Sequence, residues 1–137
     1  MSDSLEEIKS PDGTTLAIIV SRRFRKDGIN FISKSDFPLQ VGINSYEEGE
    51  EIAPHVHKDR EITINRIQEV LYMKSGGAVL SLYDTNRELF KSYTLAAGDL
   101  IFLIAGGHGF KMLKDTTIIE VKQGPYLGKD KDKALIT

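Results

Sequence analysis

The chain contains no cysteine. Disulfides are excluded, and so is any site built on thiolates; a bound metal would have to be held by nitrogen and oxygen alone. No charge of one sign dominates: 18 basic residues stand against 20 acidic ones, interspersed, for a formal net charge of -2. Nucleic acid and an anionic membrane surface are therefore not expected as partners. No apolar run approaches the roughly 20 residues that cross a bilayer. The N-terminal Met1-Ser2-Asp3-Ser4-Leu5-Glu6-Glu7 is acidic and lacks the basic and apolar regions of a signal peptide, so the expected location is cytoplasmic. No convincing amphipathic helix and no internal repeat is present. The 137 residues suffice for one domain with a real core and are too few for two.

What is present is a succession of short β-type segments. Residues 14–24, 30–32, 39–46, 69–73, 78–83, 88–95, 100–104, 110–113 and 116–122 are rich in β-branched and apolar residues. Turn residues separate them, among them Pro11-Asp12-Gly13, Ser75-Gly76-Gly77, Asp84-Thr85-Asn86-Arg87 and Ala97-Gly98-Asp99. Such a pattern describes a sandwich or a barrel. The expected layout is a polar N-terminal extension at 1–12, a β domain at 13–128 and a charged, mobile tail at 129–137.

Only three histidines occur, and all lie in or beside this strand-rich region. His55 and His57 are two apart, a spacing that puts both side chains on one face of a strand. His108 follows the apolar segment 100–104 across a glycine-rich bend, Gly106-Gly107-His108-Gly109. Two imidazoles from one strand, a third from another and a carboxylate make an N3O set suited to a first-row divalent ion. The plainer alternative is three structural or surface histidines. Two glutamates compete for the carboxylate. Glu69 opens a segment whose same-face positions are Leu71 and Met73, whereas Glu61 lies in the charged stretch Lys58-Asp59-Arg60-Glu61. Glu69 is favoured because it would share an interior face, with Tyr72 pointing outward.

These residues also resemble the cupin superfamily. Gly49, five residues, then His55-Val56-His57, and Glu69, six residues, then Gly76, are similar to its first motif. Counting from Glu61 ends on Gln68 instead, which supports Glu69. The gap of eleven residues between His57 and Glu69 is longer than the motif's. Gly98, five residues, Ile104-Ala105-Gly106, one residue, then His108 is similar to the second motif, with Ile104 in place of its proline and Met112 in place of its asparagine. A narrower likeness, to small single-domain cupins encoded among bacterial surface-polysaccharide genes, is carried by Gln68-Glu69-Val70-Leu71-Tyr72, Gly106–Phe110 and Ile119–Tyr126. The resemblance implies a double-stranded β-helix, or jelly-roll, barrel with metal between its sheets. The implied ligands are His55, His57, Glu69 and His108, with Fe, Mn, Zn or Ni as the ion.

Four protein ligands on an ion that accepts five or six leave room for water or substrate. The expected function is a metal-dependent enzyme acting on a small polar metabolite such as a sugar or sugar nucleotide, by isomerase, epimerase or dioxygenase chemistry. The alternative is a non-catalytic, metal-dependent sugar-binding or sensing module. A metal-free sugar epimerase with a His base and a Tyr acid is a third reading, and the HxH pair argues against it. Arg60, Arg66 and Tyr83 are candidate substrate-binding residues; Arg60 and Arg66 could clamp a phosphate or carboxylate. Glu120 and Lys122 read as an ordinary strand face. The apolar segment 14–20 suggests a homodimer formed by strand pairing or exchange.

Overall fold

A computed structural model describes residues 4–136. The chain divides into two units, one of Met1–Phe24 with Gln68–Thr137 and the other Arg25–Ile67. Residues 1–3 and 137, at the ends of the expected extension and tail, lie outside the described residues.

The first unit is antiparallel β throughout. One sheet has five strands: β1 (Leu5–Lys9), β2 (Thr15–Val20), β3 (Glu69–Ser75), β6 (Leu100–Leu103) and β8 (Thr117–Lys122), in the order β1-β2-β6-β3-β8. The other has three, β4 (Gly77–Tyr83), β5 (Leu89–Ala96) and β7 (Gly107–Met112), in the order β5-β4-β7. The inner faces of the two sheets share one apolar cluster that includes Ala17, Ile19, Leu71, Met73, Leu80, Leu82, Ile101 and Leu103. The arrangement is that of a β-sandwich. The strand ladders do not join the two sheets into a closed barrel. Among the described residues no helix is long and apolar enough to cross a membrane.

Local sequence explains the main elements. In β3, Glu69, Leu71 and Met73 are buried while Tyr72 and Lys74 are exposed, the period of two that the segment spells out. In β4, Ala78, Leu80 and Leu82 are buried and alternate with half-buried Val79, Ser81 and Tyr83. β2 is buried at every position, which its Leu-Ala-Ile-Ile-Val run permits. Gly76 turns β3 into β4 with φ of 88°, and a Cβ there would stand 2.3 Å from the Asp115 carbonyl oxygen. Only glycine fits both the backbone and the space.

Three expectations are corrected. Residues 5–9 of the expected polar extension form β1, which hairpins onto β2 through the Pro11-Asp12-Gly13 turn, where Gly13 N donates to Ser10 O at 2.9 Å. Of its side chains only Ile8 is buried, so its sequence gives almost no strand signal. Because β1 and β6 flank β2 on both sides, the segment expected to offer a free edge to a second copy has none. Part of the expected mobile tail, Lys129–Asp132, forms a helical turn whose Asp132 Oδ2 lies 2.6 Å from Lys122 Nζ.

The second unit carries no named strand or helix. Its first half is held by isolated bridges, Gly28↔Ser45 and Phe31↔Gly42, and by the Asn30 side chain, whose Nδ2 donates to the carbonyl oxygens of Lys26, Asp27, Gly28 and Ile43. The strand expected at 39–46 reduces to those bridges. Every residue from 46 to 67 is exposed, and none lies in a strand. The strand expected to carry His55 and His57 is therefore absent: an extended segment without a neighbouring ladder leaves its amides to water.

Asp99 is the polar linchpin of the first sheet's turns. It is 1% exposed, and its carboxylate accepts hydrogen bonds from Arg22 N and Ala96 N, each at 2.8 Å. Removing it would leave two backbone N–H groups without their acceptor. Asp99→Ala is expected to lower stability by about 3 kcal/mol, measured by urea unfolding; a loss below about 0.5 kcal/mol would contradict this account.

Candidate functional site

The register of the two sheets brings chemistry-bearing residues to one end of the sandwich. In the first sheet Glu69 pairs with Lys122 and Leu71 with Glu120, so Glu69, Glu120 and Lys122 share the face of Leu71 and Met73, with Glu69 buried, Lys122 half-buried and Glu120 exposed. In the second sheet Leu82 pairs with His108 and Leu80 with Phe110, which aims His108 inward beside buried Leu82. The two sheets meet at these side chains: His108 Nε2 stands 2.7 Å from Glu69 Oε1. The His108 ring lies edge-on to Phe110, with centroids 6.1 Å apart.

The electrostatics of this end are those of an interacting carboxyl pair. Burial pushes the Glu69 carboxyl up, but hydrogen bonds from His108 and Glu120, with the charges of His108 and Lys122, outweigh it and hold the group at about 2. Glu120 moves the other way, raised by its hydrogen bond to Glu69, by burial and by the Glu69 charge. Two carboxyls in contact cannot both ionise without cost, so Glu69 carries the charge and Glu120 retains the proton more readily. Lys122, opposite Glu69 in the ladder, donates to Asp132 Oδ2 at 2.6 Å and lies over the Tyr126 ring at 5.3 Å. Its pKa is raised, first by that hydrogen bond, against the effect of burial and with help from Asp132, Glu120 and Glu69.

Of the residues singled out from sequence, Glu69 and His108 are brought together directly. Their spacing also suits a shared ion. Two donor atoms each about 2.1 Å from a metal, with an angle between them of roughly 80–110°, stand about 2.7–3.4 Å apart. His55 and His57 belong to the other unit. Both are exposed, and their rings lie edge to face with centroids 5.3 Å apart. His55 Nδ1 donates to Ala53 O at 2.7 Å, which leaves Nε2 as its free ring nitrogen. Among the described residues, no three or more His, Asp or Glu side chains form a group that could hold an ion.

The remaining candidates are scattered. Glu61 and Arg60 are exposed in the second unit, where Arg60 lines an open concavity with His57, Lys58, Asp59 and Ile62. The Arg66 guanidinium sits 5.7 Å from the Phe37 ring centroid. Tyr83 pairs with Gly107, one place along from Leu82 and His108, so it lies on the opposite face of the second sheet from the imidazole. The residues missed from sequence are Glu120 and Lys122. Their signal was the period of two in Thr117–Lys122, which places Ile118, Glu120 and Lys122 on the face that Glu69 shares.

In comparisons with protein-family models, curated proteins and solved structures, no match to this chain was found.

The paired carboxyls give opposite pH signatures. The depressed Glu69 contributes stability above its ordinary range near 4.5, lost as pH falls toward about 2. The raised Glu120 contributes the reverse: stability present at acid pH and lost as pH rises through its folded value. Glu69→Gln should therefore cost about 2 kcal/mol at neutral pH and flatten the acid limb of a thermal-unfolding profile. Glu120→Gln removes like-charge repulsion and keeps a donor, so its melting temperature at pH 7 should equal or exceed that of the wild type. A lower melting temperature for Glu120→Gln would refute the pairing.

Proposed function

We propose that the chain is a metal-binding protein of the cupin type, a jelly-roll relative in which Glu69 and His108 are two ligands of a divalent ion. The observation that carries this reading is the 2.7 Å approach of His108 Nε2 to Glu69 Oε1, from opposite sheets. Both residues stand out in the sequence by their strand-face placement and by motif spacing. His55 and His57 are proposed as the other two ligands on the strength of that same spacing. When bound, an ion with an open position would polarise a carbonyl or lower the pKa of bound water. Fe, Mn, Zn and Ni are all compatible with an N3O set.

An enzyme is favoured over a sensing module by Glu120. Its carboxyl lies beside a proposed ligand and is raised by that neighbour, and a titratable group next to an ion is the kind of residue that acid–base chemistry uses. The substrate class proposed is a small polar metabolite, carbohydrate-related, with isomerase, epimerase or dioxygenase chemistry. The proposed assembly is a homodimer. Its support is the apolar outer face of β3 and β8, where Tyr72, Ile119 and Val121 are 40%, 48% and 53% exposed. A monomer in sedimentation equilibrium would remove that part.

The decisive measurement is metal stoichiometry. Dialysis against each divalent ion followed by elemental analysis should give one bound ion per chain. Binding should fall at least tenfold in His108→Ala and in the double variant His55→Ala/His57→Ala. A wild-type protein that binds no ion would overturn the proposal. Binding lost with His108 but retained without His55 and His57 would remove those two as ligands.

A further inference from the structure

The two strands that carry this end of the sandwich are both edges. β8 is the last strand of the first sheet and β7 the last of the second. His108 is on β7; Glu120 and Lys122 are on β8. Between two unjoined edges a sandwich is open, and the interior polar groups there face water unless something crosses the gap.

The C-terminal segment touches both edges. Asp132 forms its ion pair with Lys122 on β8 at 2.6 Å, and the two side chains are only 15% and 14% exposed. Tyr126 lies beneath the same ammonium. The positive charge of Lys133 also acts on Glu120. On the other edge, Ile136 occupies the space beside Gly107, on the face of β7 that Tyr83 shares and the His108 ring does not, so the segment passes over the β7 edge to reach it. The segment thus has a polar anchor on one edge and an apolar anchor on the other. The Lys129–Asp132 turn between Tyr126 and Ile136 buries none of its own residues, so it contributes no core of its own. Its retention depends on those anchors.

We propose that residues 125–136 are a strap across the open side between β7 and β8, latched by Lys122–Asp132 and seated by Ile136, and that its release controls access to the Glu69–His108 pair. The inference rests on reading that pair as the working site. His108 retains a partly open path, 35% exposed with the strap in place, while Glu69 at 11% is nearly sealed.

The test reads access and not metal. Diethyl pyrocarbonate modifies accessible neutral imidazoles, and peptide mass spectrometry resolves the three histidines. Asp132→Asn removes the latch charge, and Ile136→Asp removes the apolar seat without altering the latch. Loss of one charge-assisted hydrogen bond shifts a closed–open balance by about tenfold. Because the His108 side chain is already 35% exposed with the strap in place, its modification rate should rise by up to about tenfold in at least one variant, with His55 and His57 unchanged as internal references. Rates at His108 that stay at the wild-type value in both variants would overturn the strap. So would an equal rise at all three histidines, which reports loosening of the whole chain. Neither outcome depends on whether the protein binds an ion, so failure of the metal proposal and failure of the strap are separately visible.

Discussion

The placement of β3 between β6 and β8 is the constraint on which this molecule turns. Two antiparallel ladders hold that strand, Glu69 to Leu103 on one side and Glu69 to Lys122 on the other. Because side chains alternate with a period of two, a slip of one residue would send Glu69, Leu71 and Met73 to the outer face and bring Tyr72 inward. Burial of Leu71 and Met73 opposes any such slip, at roughly 1.5–3 kcal/mol for each large apolar side chain. The apolar core thereby fixes the position of a carboxylate that would not choose the interior on its own.

A carboxylate at that depth needs compensation. His108 supplies it from the facing sheet, Glu120 and Lys122 from the neighbouring strand. None of these partners is adjacent to Glu69 in sequence, and they arrive through two pairings: His108 through β4 with β7, and Glu120 and Lys122 through β3 with β8. The outcome is a cluster whose charge is divided unequally between two glutamates. One carboxyl is driven down and its neighbour up, as expected when two carboxyls in contact share the cost of ionising.

Much of this was legible in the sequence, for definite reasons. β3, β4 and β6 declare themselves because their alternation or continuous apolarity reports burial directly. Glu69 could be preferred to Glu61 because Leu71 and Met73 follow it at even spacing, and the structure gives it an inner face and an imidazole partner. What was not legible lies at the edges. β1 buries one side chain, so its strand character comes from pairing with β2 rather than from pattern. The 39–46 and 55–57 stretches carry strand-type residues but have no ladder partners, and extended propensity without a partner leaves irregular chain. Glu120 and Lys122 read as an ordinary strand face, and they do lie on β8, Glu120 exposed and Lys122 half-buried; only the register shows that they stand opposite Leu71 and Glu69. The tail read as disordered from its alternating Lys and Asp, a composition that says nothing of an ion pair formed ten residues back in the chain.

The exposed segment at 46–67 bears on how a metal would be held. Its residues are all open to solvent, among them Ile52, Val56 and Ile62, and a region with so little burial sits at the low end of local stability. Donors on such a segment are not preorganised as those of β3 and β7 are. Ligation by His55 and His57 would fix backbone that the fold leaves unsupported, at about 1–2 kcal/mol per residue ordered, and that cost would be drawn from the binding free energy. Glu69 and His108 face no comparable cost, because the core has already set them 2.7 Å apart.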